Sequence, residues 1–123
     1  MPKTKVLIFA EKNGSSPFIQ WVKKQPQKVQ NKCYVFIERL TEFGYGLRRP
    51  QADYLKDDIY ELRVNRQGIN YRVLYFFCEE KAIISHGIVK QMSKVPDKEI
   101  NIAVKNKMKF LANPGKHTYK EEQ

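Results

Sequence analysis

Residues 60–77, YELRVNRQGINYRVLYFF, alternate in the manner of two β-strands joined at a tight turn. The pairing follows from parity, because a strand shows successive side chains to opposite faces. With an even loop at Gln67–Gly68, Tyr60 meets Tyr75, Leu62 meets Val73 and Val64 meets Tyr71, all on one side. The other side then sets Asn65 against Asn70 and Arg63 against Arg72. An odd loop mixes polar with apolar residues on both faces, so the even register is expected. It carries a physical conflict, since like charges directly opposite on a sheet repel. Either an anion such as a phosphate belongs between the two guanidiniums, or Glu61 with a further acid such as Asp57 or Asp58 neutralises them.

The next strand, AIISHGIVK, extends the arginine face. A three-residue turn at EEK sets Arg72 beside Ile88, Leu74 beside His86 and Asn70 beside Lys90. His86 and Lys90 then lie on the same face as Arg63 and Arg72, and Lys94 follows in the adjoining loop. Between Lys81 and Lys109 stand seven lysines and two acids, Asp97 and Glu99. Such a stretch, Lys94 and Lys98 included, suits a phosphate backbone. His86 has an ordinary pKa suited to proton transfer at neutral pH, and a structural histidine fits the same position. Tyr60 is either core or a rim residue on which a base stacks; Tyr71, Tyr75, Phe76 and Phe77 are core.

Outward from the hairpin, TKVLIFA (residues 4–10) reads as a first strand and NGSSP as a break. Ser16–Pro17 is a helix start, a hydroxyl cap before proline at the first position. A short helix ends before Pro26. Val29, Cys33, Phe36, Ile37, Leu40 and Phe43 form the stripe of a longer helix that stops at Gly44. LRRPQADYLKDD reads as a loop. Pro96 opens a last helix, with Ile100, Val104, Met108 and Leu111 on its inner face. The expected fold is α+β, a small antiparallel sheet with helices packed on one side, in the order β-α-α-β-β-β-α. Residues 1–112 form one domain, and 113–123 a mobile tail.

The chain has 123 residues, 41% of them hydrophobic, enough for a single core. Its 23 basic against 13 acidic residues give a charge of +10, which favours a polyanionic or acidic partner. No apolar stretch approaches the roughly 18 residues of a membrane span, and the N-terminus lacks a cleavage site for export. Cys33 and Cys78 are expected as buried, reduced thiols, which places the protein in the cytoplasm. With two histidines and no ligand spacing, no metal site is expected.

These stretches resemble the RelE/ParE superfamily of bacterial toxins, in particular its HigB-like, often phage-derived branch. NGSSPFIQWV resembles that branch's G-x-x-P-x-x-x-F/W/L opening, and LKDDIYELRV its L-x-D-G-I/L-Y-E-L-R. YRVLYFF is shared, HGIVKQMSKVP resembles H-G-F-x-K-K-T-x-K-T-P, and EINIA follows. The resemblance implies a RelE-like fold and the toxin of a type II toxin–antitoxin module. Such a toxin is a metal-independent endoribonuclease without cofactor that cuts mRNA in the ribosomal A site, the 2′-hydroxyl attacking the adjacent phosphate. It implies catalytic roles for Arg63, Arg72, Lys90 and His86, and RNA contacts by Lys94. The partner would be a helix-turn-helix antitoxin, and DNA would be met only through it. Asp58, Gln91, Val95 and Ile88 depart from the pattern, and Gln91 removes one basic contact. Two other functions stay open: a non-catalytic RNA- or antitoxin-binding module, and a ParE-like gyrase poison.

Overall fold

A computed structural model describes residues 3–121. The chain runs β1 (Lys5–Ile8), α1 (Pro17–Lys23), α2 (Gln27–Phe43), a 3-10 turn (Gly44–Gly46), β2 (Ala52–Lys56), β3 (Ile59–Arg66), β4 (Ile69–Cys78), β5 (Lys81–Lys90) and α3 (Asp97–Ala112). One five-stranded sheet has the order β1-β5-β4-β3-β2, with β1 parallel to β5 and every other pair antiparallel. The class is α+β, as expected.

The hairpin takes the even register, with Tyr60 opposite Tyr75 and Arg63 opposite Arg72. Its turn is Gln67 (φ 50°) and Gly68 (φ 79°), the two left-handed residues that the twist of a two-residue hairpin requires. Between β4 and β5 the expected pairs also form: Arg72 with Ile88, Leu74 with His86, Asn70 with Lys90. The route differs from the expected three-residue turn. Cys78 pairs with Lys81 across a two-residue turn, and the extra residue is absorbed at Ser85, where the register shifts between Leu74 and Tyr75. A bulge midway restores the parity that a longer turn would have given.

Several expectations are corrected. The first is the loop at 47–58, which contains β2, antiparallel to β3 across a turn at Asp57 (φ 53°) and Asp58 (φ 62°). This short edge strand sends Ala52 to one core cluster and Leu55 to the other, so ADYLK shows little alternation. Asp58, where the toxin pattern has glycine, takes the left-handed conformation that aspartate tolerates better than most residues. The second is the placing of the helices. α1 and α2 cover the face of Leu62, Val64, Val73 and Ile84, whereas α3 packs on the opposite face against Leu74, Phe76 and Ile83. Helices on both sides explain why 71–76 and 82–87 are buried without interruption.

α1 starts at Ser16, whose hydroxyl accepts from the Ile19 amide. Trp21 of α1 lies on β5 at Gly87, where a Cβ would collide with the indole. α3 turns a different face inward than the expected one. Ile100, Ala103, Asn106 and Phe110 are buried, while Met108 and Leu111 are exposed. The polar Asn106 in that stripe hides it from a hydrophobic count. Nor does the tail hang free where it is described. His117 is buried, stacks on Phe9 and bonds the Ala10 carbonyl through Nδ1, and the Tyr119 amide donates to Ile8.

Candidate functional site

Arg63 and Arg72 point to the same side of the sheet, the α3 side, because both share parity with Glu61 and Leu74. What stands between them is the Glu61 carboxylate. Its Oε2 lies 2.8 Å from Arg63 Nη1 and accepts a hydrogen bond. Its Oε1 lies 3.1 Å from Arg72 Nε, but that N–H is not aimed at it, so the second contact is ionic without an aligned hydrogen bond. Arg72 Nη1 donates to the Tyr71 carbonyl (3.0 Å) and to Asn65 Oδ1 (3.3 Å). Asp57 and Asp58 take no part; Asp58 stands near Lys107 instead.

The two arginines are not equivalent. The Arg72 side chain is 2% exposed and that of Arg63 23%. Burial pulls the Arg72 pKa down; Glu61 opposes the shift and Arg63 adds to it. Arg63 alone of the pair presents guanidinium to solvent. Beside them Lys90 is half-buried, with no carboxylate in ion-pair range among the described residues. Its pKa is lowered by desolvation first and then by the charge of Arg72, with smaller contributions from Arg63 and Arg49 and a counteracting one from Glu61. One carboxylate against Arg63, Arg72 and Lys90 leaves a cationic surplus at the open end of the face. Such a cluster is fitted to receive an anion through Arg63 and Lys90.

His86 shares the face but not the opening. It is buried, its Nδ1 lies 2.9 Å from Ser85 Oγ, and its Nε2 lies 3.1 Å from Glu99 Oε1 of α3. Asn106 Nδ2 donates to Ser85 Oγ at 3.0 Å, so the bulge residue, the ring and the helix form one polar network. Desolvation lowers the His86 pKa, and the Glu99 hydrogen bond and charge oppose it. Both ring nitrogens are engaged, which is the structural of the two readings open for this histidine.

Tyr60 lies where the register puts it, on the opposite, apolar face, half-buried among Tyr54, Tyr75 and Phe77. Lys94 and Lys98 are exposed, in the β5–α3 connection and the first turn of α3, and neither has an ion-pair partner among the described residues. Asn65 and Arg49 were missed. Asn65 was visible in the register, opposite Asn70; Arg49 sits in the segment read as a loop, bonded to Asp53 at 2.8 Å.

Cys33 and Cys78 are both free thiols. Among the described residues no three His, Cys, Asp or Glu side chains are grouped to hold a metal ion, and no helix is long and apolar enough to cross a membrane. No curated protein matches the chain. A family model described as "Phage derived protein Gp49-like (DUF891)" matches residues 20–108, a span that holds Glu61, both arginines, Lys90 and the His86 network. The chain belongs to this phage-derived Gp49-like family, a RelE/ParE-like family associated with the toxins of toxin–antitoxin systems.

Proposed function

We propose that the protein is a HigB-like toxin of a type II module and cleaves mRNA in the ribosomal A site. The supporting observation is the uncancelled positive charge at the open end of the arginine face. Arg63 and Lys90 bind the scissile phosphate. Arg72 and Glu61 act as positioning residues, fixing the Arg63 fork by a buried ion contact. The 2′-hydroxyl loses its proton, its oxygen bonds to phosphorus, and the bond to the 5′ oxygen breaks as that oxygen gains a proton. A 2′,3′-cyclic phosphate and a 5′-hydroxyl result. The fixed cations stabilise the charge that builds on the equatorial oxygens. Lys90, its pKa lowered by desolvation and by Arg72, is the better placed proton donor to the leaving oxygen, since His86 is bonded on both nitrogens. Lys94 and Lys98 hold flanking phosphates. The site of action is the cytoplasm, and an acidic segment of a co-encoded helix-turn-helix antitoxin neutralises the basic face.

Expression of the parent, Arg63→Ala and Lys90→Gln proteins tests this. The parent is expected to arrest growth and cut ribosome-bound mRNA, and both variants to lose the two effects while staying folded. Undiminished arrest and cleavage in Arg63→Ala removes the role given to that residue. A second reading, a binding module without cleavage, is favoured by Glu61 filling the space between the arginines and by Gln91 in place of a lysine. A parent protein that binds ribosome-held mRNA and leaves it intact decides for that reading.

A further inference from the structure

The face of the sheet away from the arginines carries a second feature that the proposed chemistry does not use. Tyr45, Arg48, Arg49, Asp53, Tyr54 and Tyr60 line a cleft of about 250 Å³ at the β2 edge. Its tyrosines belong to a chain of aromatic contacts that runs through Phe77 behind them. Tyr54 meets Tyr60 edge-on (5.1 Å between centroids), Tyr60 meets Phe77 edge-on (5.1 Å), and Tyr45 stacks on Phe77 (3.8 Å). The stack ends in the open: Tyr45 is 61% exposed and Tyr54 48%. Tyr45 covers Phe77 and the Tyr54 hydroxyl accepts from the Asp58 amide, yet both rings stay about half in water, and both stand beside arginines. Arg49 is paired with Asp53, whereas Arg48 is exposed and has no ion-pair partner among the described residues.

Volume and charge narrow the occupant. The cleft is smaller than a typical small-molecule pocket of about 300–1,000 Å³, so it receives a flat group against its wall rather than an enclosed ligand. Exposed aromatic rings beside unpaired cations are the combination by which proteins hold single-stranded nucleic acid: the ring stacks on a base and the cation meets the backbone. Position adds a third constraint. Asp53 pairs with Glu61 across β2 and β3, and the Arg63 amide donates to Gln51, so the lip of the cleft is bonded to the strand that carries Arg63. Arg49, at that lip, is near enough to Lys90 to help depress its pKa.

We infer that the Tyr45–Tyr54–Arg48 cleft is a base-stacking subsite for an unpaired nucleotide of the RNA strand whose phosphate lies at Arg63. The strand passes over the β2 edge by way of Arg49. This rests on the reading of Arg63 as a phosphate site, and the test separates the two.

A short single-stranded RNA with 2′-O-methyl groups lacks the attacking hydroxyl and serves as the probe. Its affinity is followed by fluorescence anisotropy, and circular dichroism checks each variant's fold. Tyr45→Ala and Tyr54→Ala are each expected to raise Kd about tenfold. Tyr54→Phe keeps the ring and is expected to bind as the parent does. Tyr45→Ala uncovers Phe77, so Arg48→Gln, which leaves the stack intact, gives an independent reading: weaker binding with a flatter salt dependence. A 5-iodouridine in the probe is expected to crosslink to Tyr45 or Tyr54. Loss of affinity in Arg63→Ala but not in the folded tyrosine and Arg48 variants overturns the subsite and leaves the phosphate site standing. Loss in the tyrosine variants with none in Arg63→Ala keeps the cleft as an RNA site and sinks the phosphate reading. Unchanged RNA affinity together with weakened binding of the co-encoded partner protein makes the cleft a protein-docking surface and overturns the inference.

Discussion

Two polar clusters lie on the same face of the sheet and meet opposite fates. Around His86, Ser85 comes from a bulge, and Glu99 and Asn106 come from α3; the ring finds a partner for each nitrogen. Around Arg63, one carboxylate serves two guanidiniums, and Lys90 beside them has none among the described residues. The first cluster is closed by a helix and internally satisfied, as buried polar groups usually are. The second keeps a surplus of charge at an opening. A stretch of positive side chains in sequence does not separate these cases; coverage by α3 does. On the proposed function, the closed cluster makes His86 structural and the open one gives the chemistry to Arg63.

The comparison is broken most forcefully at Glu61. Glu61→Ala leaves Arg72 as a buried charge beside a second cation, and removing one partner of a buried pair costs about 3–5 kcal/mol. Chemical denaturation of parent and variant measures it. A loss close to zero means that water or another acid reaches Arg72, and the contrast between a buried and an open arginine fails. At the closed cluster the expected effect is smaller. Asn106→Ala removes the amide donated to Ser85 inside a buried network, at a cost of about 1–3 kcal/mol. RNA cleavage per folded molecule is expected to stay at the parent level. Cleavage falling much further than the folded fraction returns the His86 network to the site.

Acid sharpens the same contrast. The His86 pKa is lowered by desolvation, with Glu99 opposing, so below the ordinary value of about 6.5 the unfolded chain binds the proton more readily than the folded one. The stability due to this ring is therefore complete above that pH and lost as pH falls toward the lower folded value. Thermal melting across pH 5–8 should show a decline on the acid side that is smaller in His86→Gln. Equal declines in the two proteins assign the acid sensitivity elsewhere.

Much of this was legible in the sequence, for a specific reason. In β3 and β4 one face is consistently apolar, so a one-residue slip would turn every side chain over, and the pairing of Arg63 with Arg72 follows. The caps of α1 and the stop of α2 at Gly44 are local chemistry and are read locally. What failed depends on distant partners. β2 is an edge strand held by β3, and Asn106 is buried where its amide finds Ser85 on a distant strand. The placing of α3 could have been suspected, since Leu74 and Phe76 share the arginine face and need an apolar cover. Which carboxylate would clasp which arginine is a matter of rotamers, and parity carries no information about it.

The smallest expected change in stability is at Lys90, and it has the opposite sign. Its ammonium sits among Arg72, Arg63 and Arg49, and their charges, after desolvation, lower its pKa. Lys90→Gln removes a repelled charge from a half-buried place, so stability should stay level or rise by up to about 0.5 kcal/mol, the usual range for substitutions near a surface. Activity should move the other way, with cleavage of ribosome-bound mRNA sharply reduced. A residue that strains the folded state is retained when function needs it, and natural sites commonly trade stability in this manner. Melting and cleavage measured on one preparation decide the matter. A destabilised variant that cleaves as the parent does would make Lys90 a structural contact, and the open cluster would then differ from the closed one only in its exposure.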